Sequence, residues 1–282
     1  MLQKRIQLTD DAGGAYLDVY VAEPMKAFLR KGLLICPGGG YEHVSPREGE
    51  PIVQAFMPYG YNAFVLHYTV GRESGKPFPA QLIEAMLAIK HIKDHAEEYG
   101  IDPEELFVVG FSAGGHLAAS VATLWKSELV GRAVDMPYGY GKVRGVMLVY
   151  PMISSKYCKR DAYLGAFGNL WCSDEPSGEQ LRMASMENHV DADTVPAFML
   201  QSFNDPTVDV RNALAIADAY AVAGVPFELH VYPDAPHGFS VANEITAGGR
   251  PHYVNPTVAQ WVRQAAEWVE NLLRTETEDK GV

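Results

Sequence analysis

The sequence is poor in cysteine and has no long apolar run. Only three cysteines occur in 282 residues, Cys36, Cys158 and Cys172. An odd number of cysteines without metal-ligand spacing argues against a disulfide framework and against a metal site. Nowhere do about eighteen apolar residues follow one another, and the first residues contain no apolar segment of signal-peptide length. We therefore expect a soluble, cytoplasmic protein with three buried or incidental thiols.

An excess of positive charge is also missing. The chain has 23 Lys and Arg against 35 Asp and Glu, a net charge of -12. Because nucleic acids and anionic membrane surfaces bind clustered basic residues, this balance argues against both as partners. The length suits one α/β domain, residues 1–282, that carries an insertion, and only residues 275–282 have the composition of a frayed tail. Whether copies of the chain assemble into a homo-oligomer stays open.

The stretch that organises the chain is LFVVGFSAGGHLAA, from Leu106 to Ala119. Apolar strand residues run into a glycine-rich turn, and small residues then open a helix. Gly110 and Gly114 lie two residues before and after Ser112, the spacing of a nucleophile elbow, whose sharp turn exposes its serine above a sheet. A glycine-rich structural turn is the alternative. The strand before and the helix after favour the elbow.

A second glycine-rich loop, PGGGY, follows the short apolar strand Gly32 to Cys36. Consecutive glycines let a backbone turn with its N–H groups unpaired, which can build an oxyanion receptor. We expect this receptor to use the N–H groups of Ala113, Gly39 and Gly40, with Tyr41 beside them at the substrate. A phosphate-binding loop is the alternative, but neither the dinucleotide nor the P-loop glycine pattern is present.

A serine nucleophile needs a base and a carboxylate that orients the base. His237 lies in a loop between a proline and a glycine, a poor place for a core histidine, and we interpret it as the base rather than as a surface histidine. His43, His189 and His252 also lie in predicted loops and stay as alternatives. Asp205 and Asp209 both follow a predicted strand and are the two candidates for the acid. Asp209 is suited to cap the next helix, so Asp205 is favoured. The order Ser112, Asp205, His237 is that of α/β-hydrolases.

Apolar strands that alternate with amphipathic helices predict a doubly wound, mostly parallel sheet of eight strands with an antiparallel N-terminal edge. A turn at residues 11–14 joins the two edge strands. The predicted strands are Arg5 to Leu8, Ala15 to Val21, Gly32 to Cys36, Asn62 to Tyr68, the elbow strand from Leu106, Val143 to Tyr150, Ala197 to Ser202 and Phe227 to Tyr232.

Helices are predicted where apolar residues repeat every three or four positions. The main ones are Glu48 to Tyr59, Pro79 to Tyr99, the elbow helix, Val210 to Ala223 and Pro256 to Leu273. In the fourth of these, the buried face is expected to contain Val210, Leu214, Ala217 and Ala221.

Residues 151–196 have no sustained period, and a segment of this length inside a compact sheet is typical of a lid. We expect this segment to be a small cap inserted in the domain. Tyr41, Tyr157, Phe167 and Trp171 either line the pocket from the loop and the cap or form the cap's own core.

Together these motifs resemble the α/β-hydrolase superfamily, in particular the small bacterial esterases related to acetylxylan esterase and to hormone-sensitive lipase (BD-FAE-like enzymes). The motifs are PGGGY, GFSAGGHLAA, NDPTV from Asn204, and His237-Gly238. The resemblance implies Ser112 as nucleophile, Asp205 as acid, His237 as base and the glycine loop as oxyanion segment. Two positions depart from the family pattern: Pro37 replaces the histidine of hormone-sensitive lipase relatives, and Asp209 stands where a proline is usual.

The expected function is that of a serine carboxylesterase that hydrolyses short acyl esters, chiefly acetyl esters of carbohydrates, through an acyl-enzyme. The substrate class comes from the resemblance alone. The resemblance implies neither a metal nor an organic cofactor. A serine peptidase or amidase of the same fold is the first alternative, and a non-catalytic binding protein on this scaffold is the second.

Overall fold

The computed structural model describes residues 4–10, 14–23, 25, 28–157 and 160–279. Within these ranges, eight strands form one sheet. The strands are β1 (Lys4–Gln7), β2 (Tyr16–Tyr20), β3 (Arg30–Cys36), β4 (Tyr61–His67), β5 (Ile101–Phe111), β6 (Gly145–Val149), β7 (Ala197–Ser202) and β8 (Phe227–Tyr232). Each matches a predicted strand within a few residues.

The strand order across the sheet is β1-β2-β4-β3-β5-β6-β7-β8. Strand β2 is antiparallel to both β1 and β4, whereas all pairs from β4 to β8 are parallel. The predicted fold class, a mostly parallel sheet with an antiparallel N-terminal edge, is thus confirmed. Of the predicted turn at residues 11–14 between β1 and β2, residues 11–13 lie outside the described residues.

Helices connect the strands and cover both faces of the sheet. They are α1 (Glu50–Phe56), α2 (Ala80–Asp94), α3 (Ala96–Tyr99), α4 (Ala113–Leu124), α5 (Glu128–Ala133), α6 (Arg160–Trp171), α7 (Gly178–Met183), α8 (Arg211–Ala223), α9 (Glu244–Ala247) and α10 (Trp261–Asp279). The predicted frayed tail is wrong over residues 275–279, which continue α10. Residues 280–282 lie outside the described residues. Among the described helices, none has both the length and the apolar character needed to cross a bilayer.

Two apolar cores lie on opposite faces of the sheet. Neighbouring residues of one strand point to opposite faces, so that Leu34 joins one core and Leu33 the other. The first core packs under α2, α4 and α8, and the second under α1 and α10. The buried face predicted for α8 is right for Ala217 and wrong for Leu214, which is 46% exposed. The residues that α8 buries are Asn212, Ala213, Ile216, Ala217 and Tyr220.

The junction between β5 and α4 is a sharp turn on the site side of the sheet. Ser112 adopts φ 53° and ψ -115°, a left-handed conformation that few non-glycine residues take. A Cβ on Gly114 would lie under 3.0 Å from the carbonyl oxygens of Cys36 and Pro37, and one on Gly110 would meet the carbonyl of Gly114. Glycine at these two positions is therefore a steric requirement of the turn.

Residues 151–196 contain more regular structure than their sequence pattern suggested. They include α6, α7 and a short 3-10 turn at Met186–His189. The expectation of a segment without strong elements is therefore wrong. The helix α6 was missed because Gly165 and Gly168 interrupt its apolar pattern. A Cβ at position 168 would lie 2.7 Å from the backbone carbonyl oxygen of Ser173, so the close approach of the backbone favours glycine there.

Two glycine substitutions test the steric account of the turn. Gly114→Ala should lower the free energy of unfolding by about 2 kcal/mol or more, because its methyl group has to displace backbone carbonyls. Gly131→Ala is the matched control, since Gly131 lies in α5 with no atom within 4 Å of its Cβ position, and it should raise stability by about 0.5–1 kcal/mol. Urea unfolding measures both. Equal effects of the two substitutions would contradict the account.

Candidate active site

A cavity of about 290 Å³ opens at the carboxyl ends of the central strands. In a sheet of this kind, loops that follow neighbouring strands meet at this edge. Residues from five segments line the cavity: Gly39, Gly40, His43, Ser45, Arg47, Glu48, Ser112, Met152, Ala166, Thr207, Val208, His237 and Gly238.

Three side chains that the sequence singled out are hydrogen-bonded in a row at this cavity. The Nε2 atom of His237 lies 2.9 Å from Oγ of Ser112. Its Nδ1 atom lies 2.7 Å from Oδ2 of Asp205. A carboxylate only accepts hydrogen bonds, so Nδ1 carries the proton and Nε2 is the acceptor for the serine hydroxyl. Ser112 thus faces the basic nitrogen of an imidazole whose tautomer is set by a buried acid.

Asp205 is buried and fully hydrogen-bonded. Its Oδ1 atom accepts the backbone N–H groups of Thr207 and Val208, at 2.8 and 2.9 Å, which leaves Oδ2 for the histidine. Asp209, the other candidate, instead pairs with the guanidinium of Arg211 at 2.7 Å. The sequence predicts Asp209 as the N-cap residue of α8, but in the structure Val210 occupies that position. Geometry thus brings Asp205, and not Asp209, to His237.

Hydrogen bonds hold the glycine loop in one conformation. The carbonyl of Gly38 accepts the N–H of Ser45 at 2.9 Å, and that of Gly39 accepts the N–H of Glu42 at 3.0 Å. In a planar trans peptide, the next N–H points away from such a carbonyl. The N–H groups of Gly39 and Gly40 therefore point away from these bonds, and no hydrogen bond among the described residues uses either of them.

The loop is also held from the side of residues 151–196. Nδ2 of Asn169, in α6, donates to the carbonyl of Gly40 at 3.0 Å. Arg72 Nε in turn donates to Oδ1 of Asn169 at 2.9 Å. On the other side of the cavity, Ala113 is the first residue of α4, and its N–H has no acceptor within the helix. Three backbone donors, from Gly39, Gly40 and Ala113, are thus available near Ser112.

The side chain of Tyr41 does not reach the substrate cavity. It is 1% exposed, and its hydroxyl donates to Nδ1 of His116 at 2.8 Å beneath the elbow. Only the backbone of Tyr41 belongs to the loop, and of the two alternatives for its ring, the pocket wall or a core, the structure places it in a core. Phe167 packs in the same place, against His116, and Trp171 packs on Phe78. These rings form an aromatic core under the loop.

Tyr157 also lies outside the cavity lining. The guanidinium of Arg211 lies over its ring, 4.9 Å from the ring centroid. Residues 151–196 reach the cavity instead through Met152 and Ala166. Sequence reasoning missed these two residues, because neither has a chemical signature. It also missed Glu48, which the pattern placed at the start of a helix and which the structure buries in the cavity wall.

No group of His, Cys, Asp and Glu in the described part of the chain could hold a metal ion. Cys36 is buried in the first core, and burial raises the pKa of its thiol. Cys172 is a half-buried free thiol. Cys158 lies outside the described residues.

Comparison with known proteins gives matches over most of the chain. Residues 17–220 match the family model BD-FAE. Endo-1,4-beta-xylanase B of Butyrivibrio fibrisolvens is 33% identical over 76% of this chain and 33% of its own length. An acetylxylan esterase of Xylanibacter ruminicola is 25% identical over 83% of this chain and 45% of its own length. The chain thus spans between a third and a half of these curated relatives.

Solved structures match along nearly the full length of both chains. The acetyl ester-xyloside bifunctional hydrolase of Caldicellulosiruptor lactoaceticus is 28% identical, with a TM-score of 0.78. The alignment covers 95% of this chain and 96% of that protein. The chain therefore shares its overall fold with a solved structure of similar length.

The buried histidine beneath the elbow predicts a pH dependence of stability. Burial lowers the pKa of His116 to about 4 from an ordinary value of 6.5. The ring stays neutral, with Nε2 donating to the Ala184 carbonyl and Nδ1 accepting from Tyr41. As pH falls from about 6.5 to about 4, His116 binds a proton in the unfolded chain but not in the folded chain. This difference removes about 3 kcal/mol of unfolding free energy.

Urea unfolding of the wild type and of His116→Asn at several pH values across this window measures the effect. The variant should be less stable near neutral pH but should lack this part of the slope, so the two stability curves converge as the pH falls. Parallel curves would contradict a neutral, buried His116.

Proposed function

Because the chain belongs to the BD-FAE family of α/β-hydrolases, as its motifs predicted, we propose that it is a serine carboxylesterase that removes short acyl groups, chiefly acetyl, from carbohydrate esters. The observation that carries this proposal is the unbroken chain of hydrogen bonds from Ser112 through His237 to Asp205. These hydrogen bonds join a poor nucleophile to a base, and the base to a buried acid. Acyl transfer is the chemistry that this arrangement serves.

In the acylation step, Oγ of Ser112 attacks the ester carbonyl while Nε2 of His237 takes its proton. The Asp205 carboxylate stabilises the imidazolium that forms and keeps the ring oriented. As the carbon–oxygen bond to the alcohol breaks, His237 gives the proton to the leaving alcohol oxygen. The product is an acyl-enzyme on Ser112 and a free alcohol.

The negative charge of the tetrahedral intermediate falls on the former carbonyl oxygen. We propose that the N–H of Ala113, together with those of Gly39 and Gly40, receives this oxygen. The loop carbonyls are already bonded elsewhere, so these donors need no rearrangement during the reaction. Removing one such donor typically costs about 3 kcal/mol of the barrier. Water activated by the same histidine then attacks the acyl-enzyme and releases the acid.

The proposed substrate class combines the cavity size with the names of the relatives. A volume of about 290 Å³ lies at the lower end of ligand pockets, which suits a short acyl group better than a long chain. One relative is named an acetylxylan esterase and one structural neighbour an acetyl ester-xyloside hydrolase. The proposed partner is accordingly a small acetylated sugar. Residues 151–196 would act as its cap, since Met152 and Ala166 form part of the wall.

The roles of the two aspartates are separated by matched substitutions. Asp205→Asn should lower kcat on an ester by on the order of 10⁴-fold, because the amide favours the wrong histidine tautomer. Asp209→Asn changes the same atoms four positions away and should leave kcat within about threefold, since its partner is Arg211. Steady-state kinetics on p-nitrophenyl acetate compares them. A larger loss in Asp209→Asn would reverse the assignment.

The acyl preference is tested with p-nitrophenyl esters of increasing acyl length, with Ser112→Ala as the inactive control. Rates should be highest on acetate, fall as the chain lengthens beyond what the cavity holds, and vanish in the variant. Release of acetate from acetylated xylo-oligosaccharides then tests the carbohydrate part. Turnover of an amide such as p-nitroacetanilide without any ester hydrolysis would favour an amidase instead.

A further inference from the structure

The buried carboxylate of Glu48 touches two loops of the site and, through one tyrosine, a third. We propose that Glu48 is a positioning residue that couples the glycine loop to the loop of His237 through Tyr150. The inference rests on the proposed esterase function and adds a residue outside the Ser112, His237 and Asp205 row. Glu48 is 4% exposed.

The first link joins Glu48 to the glycine loop. Its Oε2 atom accepts the backbone N–H of Gly38 at 2.8 Å. Gly38 directly precedes the two glycines whose N–H groups face away from the loop's own hydrogen bonds. Its Cβ position lies 3.0 Å from Cβ of Ser112, so the loop passes against the serine. Anchoring Gly38 therefore fixes the distance between the oxyanion donors and Ser112.

The second link joins Glu48 to Tyr150, the residue after β6. The tyrosine hydroxyl lies 2.7 Å from Oε1 of Glu48 and 3.0 Å from the backbone N of Ser240. The N–H of Ser240 has to donate, so the hydroxyl hydrogen goes to Glu48. Both carboxylate oxygens then accept, as an ionised carboxylate does. Burial, together with the nearby charge of Glu48, raises the pKa of Tyr150 and keeps its hydroxyl protonated.

The third link joins Tyr150 to the base. Its ring packs edge to face on the imidazole of His237, with centroids 5.1 Å apart, and on Phe239 at 4.6 Å. The backbone of Tyr150 has φ 39°, the strained left-handed region. Its hydroxyl also ties Ser240, three residues after His237. The ring and the hydroxyl together hold His237 and the chain that directly follows it.

The charge of Glu48 is what separates a positioning role from simple packing. A buried carboxylate carries a large desolvation cost, and in the described part of the chain no Lys, Arg or His forms an ion pair with it. Its neighbour Arg47 lines the same cavity, but its hydrogen bond goes to the Thr246 carbonyl at 2.6 Å and its guanidinium lies over the ring of Tyr253. The hydrogen bonds of Glu48 thus go to two loops of the site.

The test compares four variants with the wild type: Glu48→Ala, Glu48→Gln, Tyr150→Phe and the Glu48→Gln/Tyr150→Phe double variant. For each protein, kcat and KM are measured on p-nitrophenyl acetate, and the melting temperature is measured separately. Glu48→Ala should lower kcat by roughly tenfold to a hundredfold and leave KM within about twofold, because positioning acts on the transition state. Glu48→Gln keeps the shape and one acceptor, so its loss should be smaller. In the double variant the losses should be less than multiplicative, because both residues belong to one network.

Glu50→Gln is the matched control, an exposed glutamate two residues away whose kinetics should equal those of the wild type. A loss confined to KM, a wild-type kcat in Glu48→Ala, or fully multiplicative losses would each overturn the inference. If Glu48→Ala fails to fold, Glu48→Gln and Tyr150→Phe decide by the same criteria. If hydrolysis depends on Ser112 but not on Glu48, only this inference fails. If the wild type shows no hydrolysis that depends on Ser112, both proposals fail.

Discussion

The site depends on one steric constraint, the close approach of three backbone segments at the turn between β5 and α4. Gly114 lies against the carbonyls of Cys36 and Pro37, and Gly110 against the start of α4. This contact forces Ser112 into its left-handed conformation and lifts its side chain above the sheet. The same contact places the glycine loop, which follows directly from Cys36, beside the serine. The proposed nucleophile and the proposed oxyanion donors thus share one geometric origin.

Buried polar groups then orient the side chains and loops of the candidate site. One carboxylate oxygen of Asp205 accepts hydrogen bonds from backbone N–H groups, and the other accepts one from His237. One oxygen of Glu48 accepts from the glycine loop and the other from Tyr150. Beneath the elbow, His116 stays neutral and anchors Tyr41. Each of these groups is costly to bury without its partners, so the loops are held in one arrangement. A preorganised site is what the proposed acyl transfer requires.

The sequence allowed the sheet to be predicted well because strand periodicity and glycine spacing are local signals. The eight strands, the elbow and the row of Ser112, Asp205 and His237 all follow from residues that are close together or placed at strand ends. Predictions failed where tertiary contacts decide: Leu214 is exposed although its spacing fits a buried face, and Tyr41 turns into the core. Glu48 had no local signature, since its two partners, Gly38 and Tyr150, lie 10 and 102 residues away.

In the proposed mechanism, Oγ of Ser112 is the atom that is acylated during turnover. The most direct measurement is rapid acid quench of the enzyme mixed with p-nitrophenyl acetate, followed by peptide mass spectrometry. We expect a transient acetyl group on the peptide that contains Ser112. This group should form as fast as the first burst of nitrophenol and should be absent from Ser112→Ala. An acetyl group on another residue that forms at the turnover rate, or turnover without any acylated peptide, would contradict it.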